Sequence, residues 1–269
     1  MPIVIANPAT PVPALPNLSN VTDDSISESV PGGETFPVGL AFKPDGTKMY
    51  IVGVNTGLVQ QQTLSTAWDI TSAGTATSFN PDGTAPYNVF FKPDGTIMYV
   101  IVSSNQRVYQ YTLSTAWDVT SASAGAATAI WIMSGNDSSM RAMAISDDGT
   151  KLFMLGASTD SVYQYTLPTP WDITVVNYDS VSFSVTQDTV PSGLVIAANG
   201  NRMFIAGNSN DDVFEYTLNT AWSIASVTYV QNYAFTSEAN VEDVAFKADG
   251  TKMFMLGAQS DAVNQFSLS

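Results

Sequence analysis

A short sequence centred on an Asp-Gly or Asn-Gly pair returns five times along the chain. The first copy, residues 42–53, reads FKPDGTKMYIVG. The pairs begin at Asp45, Asp94, Asp148, Asn199 and Asp249, which lie 49, 54, 51 and 50 residues apart. A second marker keeps the same spacing, at Trp68, Trp117, Trp171 and Trp222. Because two markers share one period, the sequence predicts five equivalent units of about 50 residues.

Each unit contains four short segments with the composition of β-strands, separated by turn residues. In the first unit these segments are GLAF, KMYIV, VQQQTL and ATSF. The second segment is apolar at nearly every position, which is typical of a strand that is covered on both faces of its sheet. No stretch of useful length has helical periodicity. The predicted fold is therefore all-β, a five-bladed β-propeller of four-stranded antiparallel blades.

The two ends of the chain predict how the ring closes. The fifth copy ends at QFSLS, before any fourth segment, whereas SISESV at residues 25–30 precedes the first segment of the first unit. We expect residues 25–30 to pair with residues 263–268, so that an N-terminal strand closes the last blade. The predicted domains are an extended, Pro-rich N-terminal arm over residues 1–20 and the propeller over residues 21–269.

Composition argues against several functional classes. The chain has 9 basic and 24 acidic residues and a net charge of −15, so we expect no nucleic-acid partner. It has no cysteine and no histidine, which removes the usual thiolate and imidazole nucleophiles, bases and zinc ligands. The first 20 residues lack a basic region, and prolines interrupt every apolar run. We therefore see no signal peptide and expect no membrane insertion.

The two faces of the predicted disc differ in their sequences. The PDGT turns and TAWD loops share one face, here called the uniform face, which carries residues 44–47 and 66–69 and their equivalents. There we expect Asp to accept turn amides, Gly to supply positive φ, and Trp to cover the blade end. The opposite loops, residues 31–38 and 54–57 and their equivalents, form the loop face. These loops are acidic and differ between blades, as binding loops on a repeated scaffold do.

A ring of unlike polar residues lies where the innermost strands begin, at the channel mouth of the loop face. An aromatic ring, a guanidinium, an amide, a hydroxyl and carboxylates together suit a polar ligand such as a sugar. The candidate ligand-binding residues are Tyr87, Asn88, Arg141, Ser192, Glu242 and Asp243. The alternative is that the acidic loops only keep the protein soluble. No residue is predicted to be catalytic.

Calcium is the one cofactor that the loop face suggests, because hard cations bind clustered carboxylate oxygens. The candidate metal ligands are Asp211, Asp212, Glu242 and Asp243. The NSNDD sequence that contains the first two lacks the spacing and the closing Glu of an EF-hand loop. A protein without any cofactor is the other expectation.

The repeats also resemble a known group of proteins. FKPDGTKMY and VYQYTLSTAWDVTSAS are similar to the propeller repeats of virion, tail and surface-associated proteins from aquatic bacteriophages and bacteria, over residues 21–269. More distantly, PDGTKMYIVG resembles the YVTN and NHL-type repeats of surface-layer proteins and lactonase-like propellers. The lactonase-like propellers bind a divalent cation in the channel through Glu, Asn and Asp. That resemblance implies Glu242, Asp243 and Asn88 as the corresponding residues here.

These observations predict a non-enzymatic binding or structural propeller located on a virion or an extracellular cell surface. The expected partners are a glycan or protein receptor at the loop face, and capsid or tail proteins bound through residues 1–20. The sequence has neither a G-x-S-x-G elbow nor a phosphate-binding glycine loop. The alternative is a lactonase-like or glycan-hydrolysing enzyme that uses carboxylates and a divalent cation.

Overall fold

The computed structural model describes residues 16–123, 127, 129–132 and 135–269. The strands of this part of the chain are β1 (Val21–Ser29), β2 (Pro37–Phe42), β3 (Lys48–Gly53), β4 (Leu58–Thr63), β5 (Thr77–Phe79), β6 (Pro86–Phe91), β7 (Ile97–Val102), β8 (Arg107–Thr112), β9 (Ala129–Ile132), β10 (Met140–Ile145), β11 (Lys151–Gly156), β12 (Ser161–Thr166), β13 (Asn177–Ser184), β14 (Pro191–Ile196), β15 (Arg202–Gly207), β16 (Asp212–Thr220), β17 (Ser223–Ala234), β18 (Val241–Phe246), β19 (Lys252–Gly257) and β20 (Ala262–Leu268). In these same residues, no helix has the length and apolar content needed to cross a bilayer.

The strands form five antiparallel sheets of four strands, which confirms the predicted β-propeller. Blade 1 is β2–β5, blade 2 is β6–β9, blade 3 is β10–β13, and blade 4 is β14–β17. Blade 5 has the order β18, β19, β20, β1. The innermost strand of each blade contacts the innermost strands of both neighbouring blades, including β18 with β2, so the ring is closed. The apolar core lies between blades, which is why the second strand of each blade is apolar on both faces.

The N-terminal strand closes blade 5, as predicted. β1 pairs with β20 in antiparallel register, with Ile26 opposite Gln265 and Val21 opposite Leu268. The pairing therefore extends beyond the predicted residues 25–30, and a bulge between Asp23 and Ile26 absorbs a shift in register.

Residues 16–20 replace the TAWD loop that blade 5 lacks. In blades 2–4, the residue after the loop aspartate or serine donates its backbone N–H to a third-strand glutamine of the preceding blade, as Val119 does to Gln61 Oε1 at 3.0 Å. In blade 5 the buried Leu18 donates to Glu215 Oε2 at 2.9 Å instead. The end of the predicted arm is thus bound to the propeller. Residues 1–15 of that arm lie outside the described residues, so the boundary at residue 20 stays a prediction.

The uniform face has the structural role that its sequence predicts. Asp45 Oδ1 accepts the backbone N–H of Thr47 at 3.0 Å, and Gly46 has a φ of 73°. The indole of Trp68 lies against Gly46 so closely that a Cβ there would overlap it. The same arrangement joins Gly95 to Trp117, Gly149 to Trp171, and Gly200 to Trp222. The repeated turn residues and tryptophans therefore hold the ends of blades 1–4 together.

Candidate functional site

Four acidic side chains of the loop face are buried structural groups. Asp188 Oδ1 accepts the N–H of Val190 at 2.7 Å, and its Oδ2 accepts the N–H of Asn210 at 3.0 Å. A Cβ on Gly207 would overlap this carboxylate. Such a carboxylate latch, which ties the loop before the first strand to the turn after the second, recurs in three other blades, at Glu34, Asp137 and Glu238. The four acids are only 2–7% exposed.

The latches change how the loop face is interpreted. The loops of this face differ in sequence, yet four of them contain one acid with the same role. That acid accepts hydrogen bonds from backbone N–H groups that would otherwise be buried without partners. Each acid precedes its glycine by 19 residues, in the pairs Glu34 and Gly53, Asp137 and Gly156, Asp188 and Gly207, and Glu238 and Gly257. This constant spacing is the feature from which the latches could have been predicted from the sequence. Much of the negative charge on this face therefore belongs to the scaffold.

Another buried carboxyl group, which is not one of the latches, lies on the channel axis. Asp243, on β18, accepts the N–H of Leu40 at 2.9 Å and the side-chain amide of Asn88 at 3.2 Å through Oδ2. Its Oδ1 accepts the N–H of Val244 at 2.9 Å. The equivalent position of blade 4 is Gly193, where a Cβ would overlap Asp243. The structure thus brings together two of the six candidate residues, Asn88 and Asp243, as one hydrogen-bonded pair between blades 2 and 5.

Three other candidates lie one residue earlier in their innermost strands and therefore nearer the loop face. The Arg141 guanidinium carbon lies 4.6 Å from the centroid of the Tyr87 ring, a cation–π contact between blades 3 and 2. The Nε of Arg141 is buried and has no hydrogen-bond partner among the described residues. Glu242 interacts electrostatically with Arg141, and its Oε1 accepts a hydrogen bond from Asn208 Nδ2 at 2.7 Å. We call this group, Tyr87, Arg141, Asn208 and Glu242, the vestibule.

Ser192 and Asn208 depart from the sequence-based interpretation in opposite ways. The Ser192 hydroxyl is placed to donate to the backbone oxygens of Val241 at 2.8 Å and Ala206 at 3.2 Å, so it ties blade 4 to blade 5. Asn208 was not a candidate, because it lies in the turn after β15, 34 residues from the carboxylate that it contacts. The side chains of Asn208 and Glu242 meet only because blade 4 packs beside blade 5.

The carboxylates on the axis differ from ordinary surface acids. Burial raises the pKa of Asp243 to about 8, although the N–H groups of Leu40 and Val244 oppose the shift. Burial also raises the pKa of Glu242 to about 7, although the positive charge of Arg141 opposes that shift. Both groups therefore bind a proton near neutral pH, where an exposed carboxyl group is fully ionised.

The melting temperature is expected to fall by several degrees between about pH 5 and about pH 9. The unfolded chain releases these protons near the ordinary values of 3.8 and 4.5, whereas folded Asp243 and Glu242 hold them to about 8 and about 7. Over that interval the folded state binds more protons, so stability decreases as pH rises. Asp243→Asn removes one of the two titrating groups and keeps a side chain of similar shape, so it should make the profile measured by circular dichroism less steep. A wild-type melting temperature that rises across this interval would contradict the assignment.

The candidate metal ligands do not fit a cation. In the part of the chain that the structure describes, no group of three or more Asp, Glu, His or Cys side chains surrounds a common point. Asp211 Oδ1 accepts the N–H of Asn240 at 2.7 Å, and Asp212 Oδ2 accepts the amide of Asn232 at 2.6 Å. Both oxygens of Asp243 accept N–H donors, and Asn88 presents its amide nitrogen to that carboxyl group. These oxygens serve the protein's own donors, so a calcium site stays a prediction that the geometry does not favour.

Comparison with known proteins supports the propeller fold through structure and not through sequence. By sequence, the chain matches no family model and no curated protein. By structure, it is similar to a candidate 6-phosphogluconolactonase from Bacteroides uniformis, with 13% identity, 90% of this chain and 69% of that chain covered, and a TM-score of 0.54. The periplasmic gluconolactonase PpgL of Pseudomonas aeruginosa matches with 12% identity, 87% and 66% covered, and a TM-score of 0.53. The β-propeller domain of Cps50 (Swd1) from Myceliophteria thermophila matches with 7% identity, 91% and 100% covered, and a TM-score of 0.51.

These similarities confirm the predicted resemblance to lactonase-like propellers in architecture. The chain spans 62% of a functionally unknown protein from Desulfotomaculum acetoxidans and 69% and 66% of the two lactonase-named proteins. At 7–13% identity the likeness concerns the fold alone, because propellers of one architecture carry unrelated functions.

Proposed function

We propose that this chain is a non-enzymatic binding propeller, a decoration, fibre or tail component of a phage virion or a component of a bacterial surface. Its vestibule on the loop face recognises a glycan. The observation that carries the proposal is the Arg141 guanidinium, which is held over the Tyr87 ring and whose buried Nε makes no hydrogen bond to any described residue. A buried N–H donor that has no acceptor in the protein is costly unless a ligand supplies one.

A sugar suits the donors and acceptors of the vestibule. The guanidinium offers N–H donors in a planar fork, Glu242 offers a carboxyl group, and the half-buried Tyr87 offers an aromatic edge. Sugar hydroxyl groups both donate and accept, so one ring can engage all three. A protein receptor that inserts a polar side chain is the alternative partner, and it is distinguished by the experiment below.

The full chain is expected to bind a subset of glycans on an array, and Arg141→Gln is expected to reduce that binding about 10-fold or more, because a hydrogen bond to a charged group is lost. Arg107→Gln is the matched control. Arg107 is the other arginine of the loop face, and its Nε is likewise buried without a hydrogen-bond partner among the described residues. It begins β8, outside the innermost strands, so this control tests whether position at the channel mouth, and not the unpaired Nε alone, determines binding. The proposal fails if Arg141→Gln binds the same glycans as strongly as the wild type. Absence of glycan binding together with an Arg141-dependent protein partner would favour the protein receptor.

The virion part of the proposal rests on the arm and on the resemblance of the repeats. Leu18 is bound to Glu215, which fixes the root of the arm against blades 4 and 5. Capsid or tail proteins attached through residues 1–20 would leave the loop face free for recognition. Fusion of residues 1–20 to a fluorescent reporter tests this attachment. Purified virions that carry this protein should retain the fusion and should not retain the reporter alone; equal retention of the two would contradict the attachment.

A carboxylate-dependent hydrolase, of the lactonase or glycosidase kind, is the second candidate. It is favoured by Glu242, whose pKa of about 7 suits proton transfer near neutral pH, and by the names of two structural neighbours. Incubation of the chain with simple lactones and aryl glycosides distinguishes the two functions. Turnover that disappears in Glu242→Gln would replace the binding proposal, whereas absence of turnover is the expected result.

A further inference from the structure

The central channel contains a cavity that the proposed function does not use. Its volume is about 370 Å³, and it extends from the level of Asn88 and Asp243 to the turns at Pro44, Pro93 and Asp147 on the uniform face. The vestibule residues Tyr87, Arg141 and Glu242 do not line it. The cavity and the vestibule are therefore separate sites on opposite sides of the Asn88–Asp243 pair.

Most residues that line the cavity are apolar, and they include both small and large side chains. Most come from the innermost strands, with small residues such as Ala41, Ala144 and Ala245 and the larger Phe90, and aromatic rings that also pack between blades contribute edges, among them Phe42, Phe91, Phe246, Trp117 and Trp222. An apolar cavity of ~150 Å³ holds one benzene molecule in an engineered protein, so about 370 Å³ has room for a fused pair of rings. Removing such a ring system from water is favourable in proportion to its buried apolar area.

The inner end of the cavity specifies one polar group on the ligand. Asn88 and Asp243 line this end, and the Asn88 amide nitrogen already donates to Asp243. The Asn88 Oδ1 is therefore the acceptor left for a ligand N–H or O–H. An anionic ligand is disfavoured because Asp147 and Asp243 line the cavity, and a cation at the inner end would be desolvated by the apolar walls.

We propose that this cavity binds one small, uncharged aromatic compound, with its rings among the phenylalanine and tryptophan side chains and a single N–H or O–H donor directed to Asn88 Oδ1. Indole and indene are matched probes for this site, because they have the same shape and only indole carries an N–H donor. Binding of each is measured by titration calorimetry and by saturation-transfer NMR on the full chain.

Indole is expected to bind saturably, and indene is expected to bind roughly 2- to 10-fold more weakly, since one neutral hydrogen bond is lost. Asn88→Leu should reduce the affinity for indole to that for indene. Ala41→Phe should abolish binding of both, because it places a second phenylalanine at the level where blade 2 already has Phe90. Arg141→Gln should leave both affinities unchanged, which separates this site from the vestibule.

The proposal is overturned if neither probe saturates, if indene binds as tightly as indole, or if Ala41→Phe binds like the wild type. The melting temperature of each variant is recorded with its binding. If Ala41→Phe melts below the assay temperature, Ala245→Phe fills the cavity from blade 5 and replaces it in the comparison. Indole and indene enter the cavity on the uniform-face side, whereas the glycan binds at the vestibule. A negative result with these two probes therefore does not contradict the proposed glycan binding.

Discussion

Deletion of residues 1–30 is expected to lower the melting temperature by roughly 10–20 °C, whereas deletion of residues 1–15 should leave it almost unchanged. The longer deletion removes β1 and with it the fourth strand of blade 5. It also removes Leu18 and Ile26 from the core and the bond from Leu18 to Glu215. Burial of each such side chain contributes about 1.5–3 kcal/mol, and each kcal/mol corresponds to about 2–4 °C in a domain of this size.

The comparison of the two deletions isolates ring closure. Deletion of residues 1–15 keeps every contact described for the propeller, so it controls for loss of the Pro-rich sequence itself. Without β1, the edge of β20 has no partner strand and the Val263 side chain loses its cover. Melting is followed by circular dichroism and calorimetry. Equal melting temperatures of the two deletions would mean that the N-terminal strand does not close blade 5.

Asp188→Ala is expected to destabilise the fold by about 3 kcal/mol, or roughly 6–12 °C in melting temperature. The substitution leaves the N–H groups of Val190 and Asn210 without their charged acceptor. A buried donor that loses a charged partner costs more than the loss of an exposed hydrogen bond.

Glu28→Ala is the matched control for the latch. Glu28 is a half-buried acid on β1 whose side chain makes no hydrogen bond to a described residue, so its removal changes the net charge equally and should cost within about 0.5 kcal/mol. Both variants are compared by urea titration. If Asp188→Ala were as stable as Glu28→Ala, the loop-face acid would be a surface charge and not a structural group.

The sequence predicts the architecture because the repeated turn is decided by local chemistry. Asp45, Gly46 and Trp68 act within one blade, and the Asp-Gly pair favours a tight turn between the first two strands. Closure is predictable because blade 5 lacks a fourth segment, whereas residues 25–30 form a strand-like segment that precedes blade 1 and belongs to no other blade. Leu18 is not predictable in this way, since nothing in a Pro-rich segment marks it as the substitute for a missing loop.

The vestibule is less predictable because its contacts join different blades, and the latch because it joins two loops of one blade that only a 19-residue spacing relates in the sequence. An acid in a loop has the sequence of a solvent-exposed charge, and the latch appears only when the loop of Asp188 meets the turn of Asn210. The meeting of Glu242 with Asn208, and of Tyr87 with Arg141, depends on the distance between neighbouring innermost strands. Channel width is set by packing of large and small residues around the ring, as at Gly193 beside Asp243, and no single repeat contains that information.

The central claim is that the four latch acids of the loop face serve the scaffold, whereas recognition belongs to the vestibule at the channel mouth. The most direct test measures glycan-array binding and melting temperature together for Arg141→Gln and Asp188→Ala, at a temperature where both variants are folded. The account predicts that Arg141→Gln loses binding at an unchanged melting temperature, and that Asp188→Ala keeps binding at a lowered one. The reverse result, with binding lost in Asp188→Ala and kept in Arg141→Gln, would contradict it.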